Sequence, residues 1–186
     1  MKVLIIDNGT SYLPKVEKLL EKHSFQVVKC SEIKQVDYSG YDCVILSGGH
    51  NFPVFGNEDI LKEEMEFIKN CTKPIFGICF GFESIARTFG AKLEIMDSKE
   101  RGIVDIQVVE PDKIFVNIPN FQVFESHRWV VREPINEFKV LARSKDGVEV
   151  IKHKNKPIYA VQFHPEMFMD QTCGDECFNN FLNSVV

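Results

Sequence analysis

The stretch from Lys73 to Arg87 constrains this chain most. It opens as a short apolar run of strand character, Lys73-Pro74-Ile75-Phe76, and bends at a cysteine between glycines, Gly77-Ile78-Cys79-Phe80-Gly81. A helical pattern follows through Ile85, Ala86 and Phe89, and Gly90 closes it. A chain holding a Gly-x-Cys-x-Gly corner between a buried strand and a helix belongs to the α/β class. Small flanking residues let the backbone bend sharply and leave the middle side chain exposed to a substrate. A thiol there sits at the positive end of a helix, where unpaired amides favour thiolate, and the Phe80 amide can donate to an oxyanion. Read alone, the corner suits equally well a buried cysteine beside glycines that serve only close packing.

Continuous apolar runs elsewhere repeat the strand theme. Val3 to Ile6 ends at Asp7-Asn8-Gly9, and Pro14 suits a helix start ahead of Val16, Leu19 and Leu20. Phe25 to Cys30 and Tyr41 to Leu46 read as the next strands, and Glu58 to Lys69 as a helix. After Gly90 the pattern changes. Ala91–Met96, Gly102–Val109, Phe121–Phe124, Trp129–Val131, Phe138–Arg143 and Val148–Lys152 read as antiparallel strands extending the sheet. Pro157 to Phe163 is a further buried strand, and Cys177 to Leu182 a C-terminal helix. The expectation is one domain over residues 1–186, a mostly parallel sheet flanked by helices with an added antiparallel portion.

Bulk properties exclude several function classes. A net charge of −5 with no long block of like charge asks for neither nucleic acid nor an anionic membrane. No apolar run is long enough to cross a bilayer and the N-terminus enters a strand directly, so a cytoplasmic location is expected. Six scattered cysteines read as thiols rather than a disulfide framework. Cys173 and Cys177 share a helical face but lack further ligands at suitable spacing, so no metal site is expected. No phosphate-binding glycine loop or other cofactor motif is visible.

Two further segments bear on chemistry. Ser47-Gly48-Gly49-His50 follows a buried strand, at the sheet edge where open α/β folds bind ligands, so Gly49 is a candidate second oxyanion donor, or simply a turn. The last buried strand delivers His164-Pro165-Glu166, whose outer residues point to the same side of an extended backbone. Cysteine, histidine and glutamate together support covalent acyl transfer. The imidazole generates thiolate, the carboxylate orients the imidazole, and backbone amides hold the oxyanion.

In these segments the sequence resembles the class I, triad-type glutamine amidotransferases, which have a flavodoxin-like fold. Gly77-Ile78-Cys79-Phe80-Gly81 matches the family's nucleophile motif, Gln162-Phe163-His164-Pro165-Glu166 its His/Glu motif, and Ser47-Gly48-Gly49 its oxyanion strand. Nearly the whole length is similar to the stand-alone glutaminase subunits that serve a separate GMP-forming synthetase, as in archaea. The resemblance implies hydrolysis of glutamine by Cys79, His164 and Glu166, with oxyanion amides from Gly49 and Phe80 and no cofactor. It also implies a partner, an ATP-dependent synthetase subunit, because nothing here can activate a nucleotide. Arg128 and Trp129 match the positions after a Ser-His motif whose backbone contacts the substrate, and His127 either binds there or anchors that loop.

The departures carry information as well. Glu83 stands where the family usually has a substrate-holding glutamine, and an ionised carboxylate there would raise the thiol's pKa and repel the substrate's α-carboxylate. The Gly81-Phe82-Glu83 run is similar to that of γ-glutamyl hydrolases, which use the same machinery on other γ-glutamyl compounds. A catalytically silent regulatory relative is the third alternative. His23 and His153 read as solvated surface groups, and Trp129 as a substrate wall or a core residue.

Overall fold

The computed structural model describes residues 1–118 and 121–185. The strands are β1 (Lys2–Asp7), β2 (Ser24–Lys29), β3 (Cys43–Leu46), β4 (Ile75–Ile78), β5 (Leu93–Asp105), β6 (Gln107–Val108), β7 (Gln122–Val131), β8 (Phe138–Arg143), β9 (Val148–His153) and β10 (Ile158–Val161). The helices are α1 (Leu13–Leu19), α2 (Lys62–Asn70), α3 (Phe80–Thr88) and α4 (Gly174–Asn183). An eight-stranded sheet runs β2-β1-β3-β4-β10-β9-β8-β6. Its first five strands are parallel, and β9, β8 and β6 continue it antiparallel.

The parallel strands are apolar throughout because both of their faces are covered. Alternate residues divide between two cores, as the two-residue strand period demands. Leu4, Ile6, Val44 and Leu46 pack with Ile68 of α2 and Phe82 and Ile85 of α3. Val3, Ile5, Ile45, Phe76 and Ile78 pack on the opposite face with Val16 of α1 and Phe178 and Phe181 of α4.

Three sequence expectations need correction. The antiparallel portion does not simply extend the sheet: among the described residues β5 and β7 pair only with each other, as a two-stranded ribbon. Phe121–Phe124 and Trp129–Val131 fall largely within the single strand β7, so Ser126 and His127 lie on a strand and not in a loop. β7 lies against the segments that follow β10, where the His164 amide donates to the Phe124 carbonyl and the Cys173 amide to that of Gln122. Alternation identifies a strand but not its partner, which is why the pattern alone misplaced the ribbon.

The second correction concerns α2, which begins at Lys62 after turns rather than at Glu58. His153 is the third, because it is buried and not solvated. Its Nδ1 accepts from the Asn155 and Lys156 amides, and its ring packs against Phe89 and Phe138. Among the described residues no helix is long and apolar enough to cross a membrane.

Candidate active site

Strand order places the reactive groups. β4 and β10 are parallel neighbours, with Val161 opposite Ile78, so the residues leaving their carboxyl ends emerge side by side. Cys79 follows β4, and its amide donates to the Val161 carbonyl across 2.9 Å. It is the N-cap of α3 with φ 49° and ψ −98°, a backbone state that side chains rarely adopt. The flanking glycines are needed for close approach. A Cβ at Gly81 would lie 2.5 Å from the Leu46 carbonyl oxygen, and one at Gly77 would lie 2.6 Å from Ile85. Helix α3 therefore rests directly on the strands and holds the thiol on a tight corner.

His164 leaves β10 three residues after Val161 and is buried with Glu166. Its Nδ1 donates to Glu166 Oε1 at 2.8 Å, leaving Nε2 as the ring nitrogen that can face a reacting group. The Tyr12 ring stands edge-on to the imidazole at 5.2 Å between centroids.

Burial works to lower the pKa of His164, but the adjacent Cys79 sulfur and Glu166 carboxylate outweigh it and hold the imidazole well above its ordinary value. Burial pushes the Cys79 thiol up, His164 pulls it down, and Glu83 and Glu166 add to the rise. His164 is the decisive member of this coupled pair: only close negative charge can raise a buried imidazole, so the site favours keeping a proton on the ring between sulfur and carboxylate. Such a pair can form a covalent thioester with a carboxamide.

Cys79 opens into a cavity of about 460 Å³ that is also lined by Gly49, Phe80, Glu83, His127, Arg128 and Trp129. A second cavity, of about 400 Å³ at the ends of β1 and β2, does not reach the thiol. Trp129 is half-buried and stacks on Phe55 at 5.4 Å, so it both lines the cavity and packs against the edge of the core. Arg128 is exposed, and its Nε donates to the Met96 carbonyl of β5. His127 is buried with both ring nitrogens engaged within its own strand, one with Glu125 and one with the Trp129 carbonyl. These contacts hold its ring within β7 where that strand walls the cavity.

Glu83 is buried, and its Oε1 accepts from Gln162 Nε2 at 3.4 Å. Burial pushes its carboxyl up to about 7, against the lowering effects of His127, Gln162 and His164. Gln162 Nε2 also lies 3.9 Å from Cys79 Sγ, which makes Gln162 a site residue that sequence reasoning did not single out. Its spacing of two from His164 was the available signal. Glu64 of α2 was missed too. It is fully buried, accepts from Asn8 Nδ2 and Ser84 Oγ, and so ties the residue after β1 to α3.

Known proteins are similar to this chain over nearly its full length. Residues 4–184 match the family model "Glutamine amidotransferase class-I". The chain is 36% identical to the glutamine-hydrolysing GMP synthase subunit of Pyrococcus abyssi, over 96% of both chains. It is 32% identical to the Thermoplasma volcanium protein of that name, over 98% of this chain and 91% of the relative. A crystal structure from Thermoplasma acidophilum, provisionally described as a GMP synthase subunit, superposes with TM-score 0.88 at 29% identity, covering 100% of this chain and 94% of that one. A Thermotoga maritima glutamine amidotransferase has the same fold, with TM-score 0.82 at 16% identity over 100% of this chain and 97% of that one. With a family model spanning nearly all of its length and relatives similar from end to end, this chain belongs to the class I glutamine amidotransferases.

Proposed function

We propose that this protein hydrolyses glutamine to glutamate and ammonia, and that the ammonia passes to a separate ATP-using synthetase subunit of the GMP synthase type. The single observation that carries the proposal is the strained elbow at Cys79, with the His164–Glu166 pair emerging from the neighbouring strand. Cys79 Sγ attacks the side-chain carboxamide carbon, and its proton resides on His164 Nε2. The tetrahedral oxyanion is held by the amides of Gly49 and Phe80. His164 then gives its proton to the departing ammonia, leaving a thioester on Cys79. Water, deprotonated by the same imidazole, cleaves the thioester to glutamate and free thiol. Glu166 fixes the ring orientation and balances imidazolium in each half-reaction.

A second reading has its own observation. Glu83 places a carboxyl, not an amide, in the wall of a cavity of about 460 Å³, an arrangement that suits a γ-glutamyl hydrolase acting on larger conjugates. Assay of the purified protein against glutamine and γ-glutamyl peptides, with and without a GMP-forming synthetase subunit, separates the two. Low glutaminase activity that rises with the synthetase fits the first reading. Peptide cleavage with glutamine untouched in both conditions would replace it with the second.

A further inference from the structure

Among the buried titratable groups that the proposed reaction leaves unused, three lie together. Glu125 and His127 are two apart on β7, so their side chains share one side, and Glu149 of β9 meets them there. One ligand-capable atom from each lies within 4.8 Å of the others, and all three residues are buried.

Counting hydrogens exposes a deficit of positive charge. His127 Nδ1 lies 3.0 Å from the Trp129 carbonyl oxygen, which can only accept, so Nδ1 carries the ring hydrogen. In neutral imidazole Nε2 then points a lone pair at Glu125 Oε2, 3.1 Å away. Two acceptors that close need a cation or a proton between them. Glu125 Oε1 and Glu149 Oε2 are buried and accept from no donor group among the described residues, and the two carboxyls lie against one another. Leaving such carboxylate oxygens uncompensated is costly.

We infer that Glu125, His127 and Glu149 form a binding site for a divalent first-row transition cation of the zinc class. One imidazole nitrogen and two carboxylate oxygens are donors that suit such an ion, and two carboxylates match its charge. The outer contacts fit as well: the Trp129 carbonyl fixes the His127 tautomer, and Ser144 Oγ donates to Glu149 Oε1 at 2.7 Å. A cavity of about 270 Å³ lined by Glu125, Ser144 and Asp146 provides an entry path. Because two ligands lie on β7 and one on β9, the ion clamps the ribbon carrying the Arg128–Trp129 wall to the main sheet. His127 borders the cavity into which Cys79 opens, but none of the three ligands belongs to the Cys79–His164–Glu166 set, so the site does not depend on glutamine being the substrate.

The test uses the metal-free Cys79→Ser protein, since the catalytic thiol and His164 could themselves take zinc. Calorimetric titration with Zn²⁺ is expected to give one equivalent bound and a raised unfolding temperature. Affinity should drop at least about tenfold in Glu149→Gln on the same background. Co²⁺ in the unsubstituted site should give visible d–d absorption without a thiolate charge-transfer band, a readout that stands even if Glu149→Gln does not fold. Absence of saturable binding, a thiolate band, or equal affinity in a folded Glu149→Gln protein would overturn the inference and leave protons as the only cations in the cluster.

Discussion

Cys79 holds two roles that conflict. Its sulfur needs the corner, yet at φ 49° its backbone occupies a state that costs a non-glycine residue about 1–3 kcal/mol. Removing the side chain should therefore separate function from stability. Both Cys79→Ala and Cys79→Gly are expected to lower glutamine turnover by about 10³-fold or more. The glycine variant should unfold at higher denaturant than the alanine variant, by about 1 kcal/mol or more. Equal stabilities would mean that the corner is relaxed in solution.

Glu83 offers a second test at this scale. With its carboxyl pushed up to about 7, the group is largely neutral below that pH and largely charged above it. When neutral it carries a hydrogen-bond donor, as an amide does. When charged it repels a substrate α-carboxylate and raises the thiol. Glu83→Gln should accordingly lower KM for glutamine by up to about tenfold at pH 8, worth about 1.4 kcal/mol, and the gap should shrink below pH 6. Steady-state KM across pH 5.5 to 8.5 checks this, and a pH-independent gap would exclude titration of Glu83 as its cause.

Among the elements, α3 shows how much was legible in advance. Glycines on both sides of Cys79, followed by Ile85 and Ala86 at helical spacing, announce a strand, a corner and a helix, and β4 and α3 fall there. The close contact of Gly81 with the Leu46 carbonyl predicts that Gly81→Ala pushes the helix off the sheet. Overpacking of that kind costs about 1–3 kcal/mol, so a loss of this size is expected in denaturant unfolding, with Cys79 displaced and turnover reduced. Wild-type stability in Gly81→Ala would contradict the contact.

The ribbon of β5 and β7 was less legible, for a physical reason. Alternation in Gln122 to Val131 marks a strand with two faces but says nothing of its partner. Glu125, Glu64 and Glu149 were invisible as buried groups because a carboxylate in a sequence reads as solvent-facing. Only tertiary partners reveal otherwise: Asn8 and Ser84 for Glu64, Ser144 and Glu125 for Glu149. The His164–Glu166 pair escaped this difficulty because its two members are neighbours on one extended segment.

For the molecule as a whole, these buried carboxyls set the pH at which the fold is most stable. Burial raises Glu64 to about 6 and Glu83 to about 7, both from an ordinary value of 4.5, and raises Glu149 well above that value with help from Glu125. Each binds its proton more tightly folded than unfolded, so its contribution is complete below the unfolded pKa and is lost as pH rises through the folded one. At 1.36 kcal/mol per pKa unit, the losses are about 2 kcal/mol for Glu64 and about 3 kcal/mol for Glu83. His164, also raised, acts in the same sense above its unfolded value of 6.5, while His153, lowered by burial, opposes it near that pH. Groups held low, among them Asp112, contribute above their unfolded values and are lost on acidification, Asp112 from 3.8 downward. Stability is thus squeezed from both sides, with its maximum near pH 5 rather than at neutral pH. Urea unfolding in the presence of a chelator, from pH 4 to 8.5, should show that maximum and a decline of several kcal/mol towards pH 8. In the Glu83→Gln protein the decline should be shallower between pH 5 and 7. A maximum above pH 7, or identical slopes in the two proteins, would mean that these carboxyls are hydrated in solution and that the cavity behind Cys79 is wetter than its burial implies.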